Sequence, residues 1–236
     1  MGKKNKDIEA NKQDLKASVL KSTVGIVPFA GPFLSEVVGA VIPNQRIDRI
    51  GKFVKELDER LSRFEQSYLN ELIKDEECVD LIEECFISAS RGISQDRRKY
   101  IATLLENGLS EERIEFLETK YLLKLLNELN DMEVLWLRYF YDTTRGGDSE
   151  FREKHADVFK IVVVSIGSDE ETRRKGALQE SYKDHLKRLR LIDEKIKFDR
   201  KLGMPEYDQV TGKPKSYYNN VSVLGNNLLR YIGMIQ

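Results

Sequence analysis

The stretch YKDHLKRLRLIDEKIKF, Tyr182–Phe198, decides the fold, because the spacing of its apolar residues changes partway through. Leu178, Tyr182, Leu186 and Leu189 recur every three or four residues, which predicts the inner face of a helix. From Ile192 the period becomes two: Ile192, Glu194, Ile196 and Phe198 alternate with their neighbours, as do Tyr217, Asn219, Val221 and Val223. The loop between these runs holds Gly203, Pro205, Gly212 and Pro214, so the pattern predicts a two-stranded antiparallel hairpin. Ser168, followed by Asp169, Glu170 and Glu171, gives the preceding helix an N-cap and acids near the positive end of its dipole. That helix is expected to run to about Arg190, and Ser222, Val223, Leu224, Gly225, Leu228, Leu229 and Ile232 predict a short closing helix.

Upstream, Leu122, Leu125, Leu126 and Leu129 share one side of a helix over 112–129. Asn130 and Asp131 interrupt it, and Val134, Leu135, Leu137 and Phe140 predict a second helix. A polar, glycine-containing connector spans Asp142–Ser149, a short helix covers Glu150–Phe159, and the run Ile161–Ile166 reads as a short buried strand. Helix, helix, helix, hairpin, helix is the order of a winged helix. YKDHLKRLRLID, Tyr182–Asp193, resembles the recognition helix and wing entry of bacterial winged-helix regulators, and VSVLGNNLLRYI, Val221–Ile232, is similar to their return strand and final helix. The resemblance covers roughly 112–236; the 142–167 connector and the wing loop are both longer than in a tight helix-turn-helix, and the N-terminal half matches no recognised family.

The resemblance implies a third helix lying in the DNA major groove, with cations on it and on the wing neutralising phosphates. Lys183, Lys187, Arg188, Arg190, Lys195, Lys197, Arg200 and Lys201 are the candidates. Residues 173–201 carry eleven bases against five acids, whereas the whole chain has a formal net charge of -1, so charge is sorted into blocks rather than spread evenly. The competing reading is a solvated basic face on a module that binds a protein partner.

The N-terminal half reads as a helical bundle over 1–109, followed by the winged-helix-like domain over 110–236. Ile47, Ile50, Val54, Leu57, Leu61, Phe64 and Tyr68 keep a heptad, which suits either a bundle core or a self-associating coiled coil. Further helices are expected near 76–90, 94–107 and 110–129, with Ser94 and Ser110 as N-caps and Gly108 just past a helix end. Thr23–Pro43 is an apolar run whose one charge is Glu36, bordered by lysines and arginines, in which Gly31, Ser35 and Gly39 repeat every four residues. Its length permits a membrane span, but Pro28, Pro32 and Pro43 leave backbone groups that lipid cannot pair, which favours a buried helical hairpin over peripheral membrane contact.

No residue pattern requires a catalyst, a metal or a cofactor. Glu76, Glu77, Asp80, Glu83 and Glu84 share a helix face, but no Glu-x-x-His motif joins them, and the two histidines, His155 and His185, lie far off in sequence. The TGKP at Thr211–Pro214 lacks the upstream glycine of a phosphate loop, and no Ser or Cys stands in a nucleophile motif. His185 is expected to be a surface residue of the third helix. Cys78 and Cys85, seven residues apart on one helix, are too distant for a disulfide and suit reduced core thiols of a cytoplasmic protein. The expectation is a mainly helical, non-enzymatic regulator or adaptor that binds DNA or a protein; the alternatives are a membrane-acting effector and a scaffold subunit of an assembly. No small-molecule substrate is evident.

Overall fold

The computed structural model describes residues 47–110, 116–144, 146–165, 167–199, 203–207, 212 and 214–236. The segment 23–43, with Gly31, Ser35 and Gly39, lies outside them, as do Arg200 and Lys201. Among the described residues no helix is long and apolar enough to cross a membrane. The protein is mainly helical with a small antiparallel sheet near its C-terminus, and it divides into two compact units: residues 1–127 with Tyr231–Gly233, and residues 128–230 with Met234–Gln236.

In the first unit, α1 (Ile47–Leu61) buries Ile50, Phe53, Val54, Leu57 and Leu61 completely. It packs against α3 (Glu76–Arg91) and α4 (Gln95–Gly108), with the Phe53 and Phe86 rings edge to face at 5.1 Å. The heptad therefore meets its own chain. It is also not one continuous rod: α1 stops at Leu61, Phe64 falls in the turn, and Tyr68 sits on α2 (Gln66–Leu72), where it stacks on Phe64 and donates its hydroxyl to Leu109 O at 2.8 Å. Asp75 caps α3 by accepting from Glu77 N and Cys78 N, with Glu76 and Glu77 in the first turn at the positive end of the helix dipole.

Ser94 caps α4 as expected, accepting from Arg97 N. Ser110 donates its hydroxyl back to Asn107 O, the start of the helix it is expected to cap lies outside the described residues, and Gly108 is the last residue of α4 rather than beyond it. That glycine is a contact point: a Cβ there would stand 2.5 Å from Thr119 Cγ2 on α5 (Phe116–Glu128). Two arginines near the start of α4 are buried as well. Arg97 donates to Leu126 O at 2.6 Å, and Arg98 to Gly92 O and Ile93 O, so each cation is satisfied by backbone carbonyls. The unit boundary at 127/128 leaves all of α5 but its last residue with the first unit, downstream of the division expected near 109.

The second unit opens with α6 (Asp131–Tyr139), started by a capping box in which Asn130 and Glu133 satisfy each other's backbone N–H. Two short helices, α7 (Ser149–Lys154) and α8 (Ala156–Phe159), follow, and Trp136, Tyr139, Phe140, Phe151 and Phe159 gather into one aromatic cluster. The long helix α9 (Glu170–Arg188) packs on α6. Its inner face is shorter than the apolar spacing suggests: Leu186 is fully buried, Tyr182 and Leu189 half-buried, and Leu178 stays 45% exposed. Gly176, not Leu178, makes the close approach, because Val164 fills the space a Cβ would need. The run Ile161–Ser165 is not a buried strand; no described strand lies beside it, and Ile161, Val163 and Val164 are exposed.

The hairpin forms where the period of two begins. Strand β1 (Ile192–Ile196) pairs antiparallel with β4 (Ser216–Val221), Ile192 opposite Val221 and Lys195 opposite Tyr218, with a register irregularity at Lys195/Ile196. Beyond it β2 (Phe198–Asp199) pairs with β3 (Met204–Pro205), and Tyr207 bridges to Pro214. Val223, which belongs by its spacing both to the alternating run and to the closing helix, begins α10 (Val223–Tyr231) and is 80% exposed. Ser222 makes that change of direction: its hydroxyl accepts from Gly225 N, capping α10, and donates to Arg190 O, while its N–H reaches Leu191 O. Gly225 touches the Leu191 carbonyl so closely that no side chain would fit there.

Candidate partner-binding face

The candidate face is built on α9. Asp169, one residue beyond the expected Ser168, caps it: its carboxylate accepts from Thr172 N at 2.7 Å and from the Thr172 hydroxyl at 2.9 Å. These hydrogen bonds hold the Asp169 carboxyl below its ordinary pKa, and Lys175 does the same for Glu171. Ser168 keeps a smaller task, closing the preceding turn by accepting from Ser165 N. With Gly176 and Leu186 turned inward, helical geometry turns Arg173, Arg174, Ala177, Ser181, Asp184 and Arg188 outward, and all six are exposed.

A buried carboxylate fixes the orientation of that face. Glu133 is only 5% exposed, yet both of its oxygens are used: Oε2 accepts from Asn130 N at 2.8 Å in the capping box, and Oε1 lies 2.7 Å from His185 Nδ1. One side chain thus closes the start of α6 and grips the last turn of α9. His185, expected as a surface residue, is half-buried and positions the helix. The clue in the sequence was Asn130 followed three residues later by Glu133, which names the capping box but not its second partner.

The eight cations proposed from sequence do not behave alike. Lys183 pairs with Glu180 at 2.8 Å, Lys187 with Glu194 at 2.8 Å and Lys197 with Glu206 at 2.9 Å, so three of the six described are neutralised within the unit. Arg188 and Arg190 are exposed and form no ion pair with any described residue, and Lys195 is exposed on β1. Two arginines that sequence reasoning passed over, Arg173 and Arg174 in the first turns of α9, are equally open. Arg173 stands four residues after Asp169, a spacing that predicts an ion pair, but the cap has already claimed that carboxylate. Arg190 adopts φ +57° at the corner between helix and hairpin, a left-handed conformation held by the contacts of Ser222 with Arg190 O and Leu191 O.

The far end of the hairpin adds apolar surface, with Phe198, Met204 and Tyr207 each more than half exposed. Nothing here or elsewhere among the described residues gathers carboxylates, imidazoles or thiols into a metal-binding group; of the acidic series on α3, Asp80 pairs with Lys120 while Glu76, Glu77 and Glu84 face solvent. Burial pushes the Cys78 thiol up to about 12, helped by the nearby Asp75 carboxylate, and raises Cys85 still further, so both are buried free thiols rather than nucleophiles. Comparison with protein-family models, with characterised proteins and with solved structures finds no match for this chain.

Proposed function

We propose that the chain is a non-enzymatic binding protein whose second unit works as a winged helix, presenting the outward face of α9 to a nucleic-acid duplex. The reading is carried by one observation: Arg173, Arg174, Arg188 and Arg190 are exposed on α9 and its exit and form no ion pair with a described acid. Ala177 and Ser181 between them are small, which leaves room for a groove wall to approach the helix. The hairpin that follows, with Lys195 on β1, supports the same reading as a second element beside the helix.

The test is fluorescence anisotropy with a mixed-sequence duplex across a salt series. Four phosphate contacts give a slope of about −3.6 in log K against log salt, so affinity falls on the order of 10²-fold between 50 and 200 mM salt. Absent or salt-independent binding overturns the reading.

The neutralised lysines and the exposed Phe198, Met204 and Tyr207 favour a second reading, in which the wing meets a protein partner through apolar contact. Such binding persists at high salt and is lost on Phe198→Ala. The expectations of membrane action through residues 23–43 and of an assembly scaffold carry no observation among the described residues.

A further inference from the structure

In the first unit a cavity of about 360 Å³ lies between α1 and the first turns of α4, lined by Lys52, Lys55, Glu56 and Glu59 from one helix and by Gln95 and Arg98 from the other. The described residues do not balance its charge. Arg98 is only 8% exposed, and a charged side chain is seldom buried that far without an opposite charge beside it. Its two hydrogen bonds, to Gly92 O and Ile93 O, both use Nη1, and a carbonyl oxygen satisfies a donor without supplying a negative charge. Nε and Nη2 form no hydrogen bond with any described residue. Lys52 and Lys55, about one turn apart on α1, are exposed and form no ion pair with a described acid. Of the two carboxylates on the wall, Glu56 is held by Arg60 at 2.8 Å, which leaves Glu59 as the one unpaired among described residues. Three cations against one such carboxylate leave two positive charges uncompensated, and the positive end of the α4 dipole adds to them.

We propose that this cavity binds a small phosphorylated molecule, its phosphate on Arg98, Lys52 and Lys55 and its uncharged remainder reaching toward Glu59. A phosphate monoester carries about −1.5 to −2 charges at pH 7 and so matches the excess, whereas a single carboxylate would neutralise only half of it. Nε and Nη2 of Arg98 share one edge of the planar guanidinium, the fork that two oxygens of one phosphate accept together, and the lysines supply mobile point charges on the open side. The size agrees, because 360 Å³ falls within the roughly 300–1,000 Å³ of small-molecule pockets and is more than an isolated ion requires. Glu59 at the other end accepts hydroxyl hydrogens, which points to a polyhydroxylated phosphate such as a sugar phosphate. The phosphates of a nucleic-acid backbone share part of this chemistry, but each is a singly charged diester continued by chain on both sides, a poorer match for two excess charges between two helices.

The test is calorimetric titration of the full chain at constant ionic strength with inorganic phosphate, glucose 6-phosphate and glucose as probes. Both phosphates bind saturably, the sugar phosphate more tightly, and glucose does not bind. Lys52→Ala/Lys55→Ala, at two exposed positions, weakens both phosphates by about tenfold or more, since a charged hydrogen bond is lost at each. Lys99→Ala, which removes an exposed cation of α4 that does not line the cavity, leaves them unchanged. Arg98→Gln abolishes binding; because this side chain also holds the Gly92 and Ile93 carbonyls, its fold is checked by circular dichroism, and the lysine pair decides if it unfolds. A duplex titration separates the two sources of phosphate, with Lys52→Ala/Lys55→Ala keeping whatever duplex affinity the native chain has. No saturable binding of either phosphate, binding indifferent to the lysine pair, an equal loss in Lys99→Ala, or a lysine-pair effect on duplex affinity alone overturns the proposal.

Discussion

Two helices of similar length, α1 in the first unit and α9 in the second, use their patterned faces in opposite ways. The apolar face of α1 is entirely consumed: Ile50, Phe53, Val54, Leu57 and Leu61 have no accessible surface. The striking charge of α9 is divided, with Lys183 and Lys187 neutralised by Glu180 and Glu194 while Arg173, Arg174 and Arg188 stay open. Apolar periodicity reports burial whoever the neighbour is, because leaving water is favourable against any apolar surface. Charge count does not report availability in the same way, because an ion pair depends on which acid happens to lie within reach.

The sharpest break in this comparison comes from truncating the two faces. Phe53→Ala removes a fully buried ring that meets Phe86 and should cost about 3–5 kcal/mol in urea unfolding, whereas Leu178→Ala on half-exposed α9 should cost under about 1 kcal/mol. Equal costs would mean that α9 buries more than its exposure shows. Next in size is Gly225→Ala, which sets a methyl against the Leu191 carbonyl and should destabilise the second unit by about 1–3 kcal/mol, read from the loss of its own hydrogen-exchange protection.

Glu133→Ala should follow at about 1–3 kcal/mol, since it removes one side of the capping box and leaves the half-buried His185 without its carboxylate. Retention of His185 by Glu133→Asp would show that charge, rather than reach, sets the position of α9. The buried thiols give a smaller, pH-dependent effect. The folded state keeps Cys78 protonated up to about 12, while the unfolded chain ionises from about 8.5, so the stability this thiol contributes is fully present below that range and is lost as pH rises through it. Thermal melts at pH 8 and pH 10 should therefore diverge less in Cys78→Ala than in the native chain.

These effects mark how far the residues alone could be read. The switch from a helical period to a period of two at Ile192 located the hairpin within a residue or so, and the cap at Ser94 was visible as a short local signal, whereas Asn130 reads only as an interruption between two helices. Local signals failed where a third residue intervened. Ser168 and Asp169 were both competent caps, and Thr172, able to bond Asp169 twice, decided between them. Ile161–Ile166 reads as a buried strand because it is apolar and β-branched, but burial needs a neighbouring layer, and among the described residues no strand lies beside Ile161–Ser165, where the Gln179 side chain meets Val162 N. In the candidate face the sign of the charge was legible and its availability was not: the acids that silence Lys187 and Lys197 lie seven and nine residues away, across the turn into the hairpin and across the hairpin loop.

The most direct test sets the open arginines against the neutralised lysines in one experiment. Duplex binding is measured over a salt series for Arg173→Ala/Arg174→Ala and for Lys183→Ala/Lys187→Ala. Removing two phosphate-contacting cations should flatten the salt slope by about two and weaken binding at every sequence, while the lysine pair should leave the slope nearly unchanged. A larger loss from the lysine pair, or no duplex binding by the native chain, would contradict the account.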